Sequence, residues 1–312
     1  MTLKPATVEE LTKLLADASA RGEKISGFDL SALHRLVEHK AEDMTASVEP
    51  GMTLAELQTR LATRGQWLPI DPPNAEQLTI VALLATNVSG PRRFGFGTIR
   101  DFVIGLQVVL ADGRIIHSGG KVVKNVAGYD LMKLFIGSHG SLGVIVEVTF
   151  KLRPIPETEQ FLEANCASLD EAEKFIEAVL SSELQPMVLD LHNLSPATPG
   201  LPVVVLGFAG TLEEVEWQLS KAAAFGFKNR SSLDYDKPMG DEGRSRRVAV
   251  LPSKTIEIIR TLNGVPYVAR AGNGIICHGS TINPKQEAPP NRLAQRLKHE
   301  FDPKHILPEL PS

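Results

Sequence analysis

Arg92, Arg93 and Arg100 stand among Gly90, Gly95 and Gly97 in the segment GPRRFGFGTIRD, and further on GGKVVKNVAGYDLMKLFIGSHGSLG sets Lys121, Lys124, Asn125 and Tyr129 between more glycines. Glycine lets main-chain N–H groups approach a large polar ligand, and a guanidinium offers a fork of donors suited to a diphosphate or a carboxylate. Together these residue types can hold an extended anionic ligand. Eleven of the chain's 25 glycines lie between Gly90 and Gly143, and Gly137, Gly140 and Gly143 recur every three residues. Tight turns account for single glycines but not for this density. Bland uses compete residue by residue: Arg92 and Arg93 also suit a solvated rim, Arg100 and Asp101 an internal ion pair or a loop brace, Lys121 and Lys124 ordinary surface, and Asp130 the N-cap of a turn starting at Leu131.

Other chemistries lack their residues. The eight histidines form no H-E-x-x-H or H-x-H pattern, so no metal site is expected. Cys166 and Cys277 are isolated and too few for an iron–sulfur cluster, which places any such cluster on another chain. There is no G-x-S-x-G elbow, no G-x-x-x-x-G-K-[ST] loop, and no strand leading into G-x-G-x-x-G and a helix. No catalytic base is assigned.

Two apolar runs frame the glycine-dense stretch. Phe102–Leu110 and Gly143–Leu152 read as strands, with Asp112-Gly113 turning into a further strand at Arg114–His117 and an amphipathic turn at Asp130–Phe135. Upstream, Thr7–Arg21 is a capped helix with Glu10 three residues after Thr7, and Thr53–Arg64 repeats the device with Glu56. Between them come a short strand at Lys24–Ser26, a helical turn over Ser31–Glu38 and a strand at Thr45–Val48. Ile80–Thr86 fits a helical turn and a buried strand equally.

Arg153-Pro154-Ile155-Pro156 reads as a linker. Beyond it the order is strand Gln160–Ala164, helix Leu169–Leu180, strand Pro186–Leu191, strand Val203–Phe208 and helix Leu212–Phe225, with Ile275–His278 as a last strand: a ferredoxin-like order. The strand start at Ile275 follows Ala271-Gly272-Asn273-Gly274. Lys228–Arg247 reads as an exposed polar run, Asn291–Glu300 as a basic helix, and the tail LPELPS as unstructured beyond its first residues.

At 312 residues and 43% apolar composition the chain can fill two cores. A formal charge of −4 favours neither nucleic acid nor anionic lipid. No apolar run approaches the ~20 residues of a membrane span, and MTLKPATVEE lacks a signal-peptide pattern, so a cytoplasmic location is expected.

The stretches at 48–73 (VEPGMTLAELQTRLATRGQWLPIDPP), 85–156 (from ATNVSGPRRFGFGTIRD through GGKVVKNVAGYDL to KLRPIP), 271–275 (AGNGI) and 296–303 (RLKHEFDP) resemble the FAD-linked oxidases related to vanillyl-alcohol oxidase and p-cresol methylhydroxylase. The likeness is strongest to the FAD-binding subunits of glycolate oxidase. It implies an α+β fold: a two-subdomain FAD-binding domain at 1–156, a ferredoxin-like cap or substrate domain at 157–290, and a helix and tail at 291–312 returning to the FAD-binding domain. It implies FAD bound non-covalently. The family's PP turn and T-I-G-G turn match Asp71, Pro72, Thr79 and Ile80, with further cofactor positions at Thr86, Asn87, Gly90, Gly97, Thr98, Asp101, Gly143 and Ile145. The implied activity is oxidation of a small 2-hydroxy acid, glycolate to glyoxylate, within an assembly containing an iron–sulfur subunit and a second flavin subunit.

Two departures bear on that implication. The chain passes from Lys24-Ile25-Ser26-Gly27 straight to Phe28-Asp29-Leu30-Ser31, without the family's intervening glycine-rich loop, and the T-I-G-G turn reads Thr79-Ile80-Val81-Ala82. A Cβ at each of two glycine positions hinders close approach to a phosphate. A shortened paralogue with weakened or lost FAD binding, acting as a noncatalytic interaction subunit, is therefore the alternative. A third reading is a flavin module whose partner supplies the substrate pocket.

Overall fold

The first segment is stitched together by short edges around one helix. In the computed structural model, which describes residues 1–120, 131–235, 246–279 and 292–310, β1 (Thr2–Leu3) runs parallel to β2 (Gly27–Phe28), with α1 (Val8–Arg21) between them in sequence. The Thr7 side chain caps α1 by accepting from Glu10 N–H, while Glu10 itself reaches the N–H of Ala6. Leu11, Leu15 and Ala18 bury one face of α1 against Leu3, Ile25, Leu30, Val109, Val144 and Ile306.

An antiparallel five-stranded sheet follows. It is built from β3 (Leu36–Lys40), β4 (Thr45–Val48), β6 (Val103–Val109), β7 (Ile115–Gly119) and β8 (Val144–Lys151), in the order β3-β4-β8-β6-β7. Helices α2 (Leu54–Ala62), α3 (Ile80–Thr86), α4 (Arg93–Phe96), α5 (Ile99–Phe102) and α6 (Met132–Phe135) connect or cover it. Leu57, Leu61, Ile80, Leu83, Phe102, Val148 and Phe150 form its core. The two-residue strands β5 (Gln66–Trp67) and β9 (Arg153–Pro154) pair as the chain leaves this sheet.

The second sheet has seven strands: β10 (Thr158–Asn165), β11 (Val188–His192), β12 (Val203–Gly210), β13 (Lys228–Arg230), β14 (Arg246–Ala249), β15 (Tyr267–Arg270) and β16 (Ile275–His278). Every pairing is antiparallel, in the order β13-β10-β12-β11-β15-β16-β14. Helices α7 (Leu169–Leu180), α8 (Leu212–Ala224) and α9 (Thr255–Thr261) supply apolar residues to the core on one face. Finally α10 (Arg292–Phe301) returns to the first sheet through Leu297 and Phe301.

Several expectations change. Ser31–Glu38 is no helical turn: Leu36 onward pairs with Thr45–Val48, and sheet pairing overrides local propensity. The strand expected at Lys24–Ser26 sits at Gly27–Phe28, where β1 offers its edge. Ile80–Thr86 resolves as a helix through its Thr79 cap. Both described ends of the polar run Lys228–Arg247 are strands, and β15 was not foreseen. The tail is anchored through Ile306 and Leu307, both buried.

Candidate functional site

Helix α3 crosses the glycine-dense region, and its two ends differ. A helix start leaves N–H groups without intrahelical partners, which is why it can hold an anion. At α3 these groups are engaged. Ile80 N–H donates to Met52 O (2.8 Å) and Val81 N–H to Pro50 O (2.8 Å), while Ala82 N–H is capped by Thr79 Oγ1 (3.3 Å). Ile80 itself is fully buried. Val81 packs with Phe28 onto the α1 core. The Pro50–Met52 turn is pressed from behind, since a Cβ on Gly51 would stand 2.1 Å from Leu30 O.

The other end is open. Asn87 caps it with φ 50°, and Thr86 Oγ1 donates back to Ala82 O (2.7 Å). Gly137 N–H and His139 N–H take the helix's last carbonyls, Leu84 O (2.8 Å) and Ala85 O (3.1 Å), so the glycine-rich loop is laid across the end of α3. Gly137, His139 and Gly140 have φ of 85°, 53° and 76°, the left-handed region that favours glycine. Among the described residues, a Cβ on Gly137 would be in ordinary contact with Asn87 Cβ at 3.6 Å, and one on Gly140 with the Phe28 ring at 3.8 Å. Asn87 Oδ1 and Ser141 Oγ are buried with no hydrogen-bond partner among the described residues.

Lys298 fastens the loop from behind. Its buried ammonium donates to Ser141 O (2.9 Å), Asp302 Oδ2 (2.6 Å), Leu307 O (3.2 Å) and Pro308 O (2.9 Å). A lysine in a basic-looking helix gave no sequence signal for this; only Asp302 four residues on hints at a partner.

The remaining expected positions are distributed. Asp71 accepts from Arg92 N–H (3.1 Å) and Nη1 (2.9 Å), and Arg92 also grips Glu159 of β10 through Nε (2.8 Å) and Nη2. Burial opposes the Arg92 charge, but Glu159 and Asp71 outweigh it and raise the pKa. Arg92 thus braces the two sheets, which is neither of its expected uses. Gly90 is pressed against Asp71, where a Cβ would stand 1.8 Å from its carbonyl oxygen. Pro72 is buried. It lines, with Asp71, Asn74, Arg92 and Phe161, a cavity of about 590 Å³ between the two sheets.

Gly97 (φ 91°) lies beside Asp101, which accepts from Thr98 N–H (2.8 Å) and Oγ1 (3.0 Å). Arg100 does not pair with Asp101; its Nη2 holds Lys133 O (3.2 Å) and Ile136 O (2.9 Å). Gly143 is packed, since a Cβ there would stand 2.7 Å from Val108 Cγ1, and Ile145 is core. Lys121, Lys124, Asn125, Tyr129 and Asp130 lie outside the described residues. Of the twelve expected cofactor positions, the structure gathers Thr86 and Asn87 at the open end of α3 and commits Thr79 and Ile80 to its closed end.

Across the cleft, α4 presses on the second sheet: Gly95 N–H donates to Met187 O (3.0 Å), and a Cβ on Gly272 would strike the Phe94 ring. This brings Arg93 toward Arg247 and Arg270. Burial first, then these two charges, draw Arg93 below the ordinary guanidinium value, with Asp101 opposing. Arg270 also pairs with the buried Asp190, and Tyr235 donates to the same carboxylate (2.7 Å). His192 stacks on Tyr235 at 4.4 Å. Its Nδ1 accepts from Leu194 N–H (3.2 Å), and burial, followed by the charge of Arg230, pushes its pKa down to about 3. None of these second-sheet residues was singled out as a site residue: Arg230, Tyr235 and Arg247 fall in what reads as an exposed polar run, and Asp190, His192 and Arg270 lie in strands that look like ordinary core. No group of metal-binding side chains occurs among the described residues, and no described helix is long and apolar enough to cross a membrane.

A family model described as "FAD binding domain" matches residues 26–119. The chain is 35% identical over 204 residues to the glycolate oxidase subunit GlcD of Bacillus subtilis, covering 62% of this chain and 43% of the relative. It is 32% identical over 236 residues to the probable mitochondrial D-lactate dehydrogenase of Danio rerio (70% and 46%). It is 35% identical over 169 residues to the glycolate oxidase subunit GlcE of Escherichia coli (53% and 47%). The matches thus span less than half the length of each of these curated relatives. Among solved structures, an alkyldihydroxyacetonephosphate synthase superposes with a TM-score of 0.73 over 98% of this chain and 75% of that one, at 18% identity, a likeness of fold alone.

Proposed function

The chain belongs to the FAD-linked oxidases, and from that premise we propose that it binds FAD and serves in oxidising a small 2-hydroxy acid, with glycolate to glyoxylate as the leading reaction, as one subunit of a larger assembly. FAD is the cofactor of this family. The observation that carries the flavin part is the C-terminal end of α3, where a buried carboxamide oxygen at Asn87, without a hydrogen-bond partner among the described residues, borders two left-handed glycines. Those features fit a polar ligand pressed onto main chain. Asn87, Gly137, Gly140 and Ser141 are the residues that would hold it.

Bound FAD supplies the hydride acceptor. The chain's own groups supply position and charge. Arg93, which feels the charges of Arg247 and of the Asp190-paired Arg270, is the candidate partner for a substrate carboxylate, since a guanidinium pairs with carboxylates through two parallel bonds. Arg92 fixes the two sheets to each other. Likeness to two different glycolate oxidase subunits supports a multi-subunit setting, with an iron–sulfur chain as the electron outlet and a second flavin chain beside it.

The test is the visible absorbance of the purified protein, before and after FAD is added, followed by anaerobic glycolate or D-lactate. A flavin spectrum that bleaches with either acid is expected. A flavin that stays oxidised with both acids, even with an iron–sulfur subunit present, removes the hydroxy-acid assignment. One observation favours a second reading, the noncatalytic interaction subunit: the first-turn N–H groups of α3 are all engaged. A protein that remains colourless with excess FAD would establish that reading instead.

A further inference from the structure

Resting on the flavin reading, we infer that this chain grips a flavin by its ring end alone and has no diphosphate site at the start of α3, so that riboflavin, FMN and FAD bind it alike. A helix N-terminus holds phosphate only while its leading N–H groups point at the ligand unengaged. Here the N–H groups of Ile80, Val81 and Ala82 are taken by Met52 O, Pro50 O and Thr79 Oγ1.

The acceptors at Pro50 and Met52 cannot withdraw. Gly51 between them donates to Leu33 O (2.7 Å), and the carbonyls of Leu30 and Leu33 leave no room even for a methyl group on it. The segment reaching Leu30 directly from Phe28 thus backs the turn that closes the helix start. At that start Val81 rests on the apolar core of α1. A dianionic group placed there would meet hydrocarbon on one side and occupied donors on the other, a desolvation cost without compensation.

Three of the basic side chains described around α3 offer no replacement. Arg92 is held by Asp71 and Glu159, Arg100 by the carbonyls of Lys133 and Ile136, and Lys298 by Asp302 and three main-chain oxygens. The C-terminal end of α3 carries a different chemistry: an amide oxygen acceptor without a partner among the described residues, beside left-handed main chain, suited to the N–H edge of a ring rather than to charge.

The measurement is quenching of flavin fluorescence on titration of the full chain into riboflavin, FMN and FAD. Two charge-assisted hydrogen bonds to a diphosphate would favour FAD over riboflavin by about a hundredfold or more. Dissociation constants within about threefold of one another are expected. Millimolar inorganic diphosphate should not displace FAD. Asn87→Gly, which removes the carboxamide while suiting the left-handed backbone, should weaken all three flavins in parallel by about tenfold. FAD bound more than about thirtyfold tighter than riboflavin, and displaced by diphosphate, overturns the inference and leaves the flavin reading standing. Quenching of none of the three removes the flavin reading, and the inference falls with it.

Discussion

The two ends of α3 pose the same problem, finding partners for main-chain groups that a seven-residue helix leaves over, and solve it with opposite consequences. At the start, the partners are a neighbouring turn and a threonine hydroxyl, and apolar side chains roof the result. At the finish, the partners are N–H groups of a glycine-rich loop, and the buried Asn87 Oδ1 beside it is left without a partner among the described residues. The difference shows that a ligand site is a vacancy in the hydrogen-bond pattern. A sequence can retain the outline of a binding turn while the fold uses up its donors.

The comparison can be broken most forcefully at the latch behind the open end. Lys298→Met leaves the buried Asp302 carboxylate without its cation, and a loss of about 3–5 kcal/mol in chemical denaturation is expected. A loss below about 1 kcal/mol, the range of exposed pairs, would mean that the loop is held by something else.

Among the described residues a buried nitrogen of the second sheet, His192 Nε2, also lacks a partner, and His192 tests whether vacancy there behaves as it does at Asn87. The unfolded chain takes up a proton near the ordinary 6.5, but the folded chain only near about 3. Stability is therefore full above about 6.5 and falls as pH drops toward 3, by up to about 1.4 kcal/mol per pH unit. His192→Phe should flatten that slope in denaturation curves taken across the acid range.

Gly140→Ala sharpens the contrast at the open end. The position has room for a methyl group but a φ of 76°, so about 1–2 kcal/mol of backbone strain is expected with no clash, together with weaker flavin quenching. Thr79→Ala at the closed end should cost about 1 kcal/mol through the lost cap and leave the ratio of FAD to riboflavin affinity unchanged. A ratio that moves would show that the closed end touches the ligand after all. Stability of Asn87→Gly should lie within about 0.5 kcal/mol of the parent in the same assay.

The helices were legible where capping and periodicity agreed. Thr7 and Thr53 stand as the caps of α1 and α2, whose apolar spacing marks their buried faces. β6 and β8 were legible as predominantly apolar runs. Short, half-polar edges were not: β3 reads Leu-Val-Glu-His-Lys and becomes a strand only because β4 lies beside it. At the site, glycine density located the region correctly as one where the backbone takes left-handed turns. Which donors remained unengaged could not be read, since that depends on Pro50 and Met52, remote in sequence from Val81. The group of arginines was half visible: Arg93 stood out beside its glycines, whereas Arg247 and Arg270 sit in strands with no local signature.

Arg92 carries a last consequence. Its guanidinium joins Asp71 on the near side to Glu159 on the far side and lies 5.7 Å from the ring centres of both Trp67 and Phe161. Swinging the lobes apart would strip an ion from two carboxylates and two aromatic faces in one motion. A ligand would then enter the crevice by rearrangement of individual residues at its mouth instead of by parting of the two sheets.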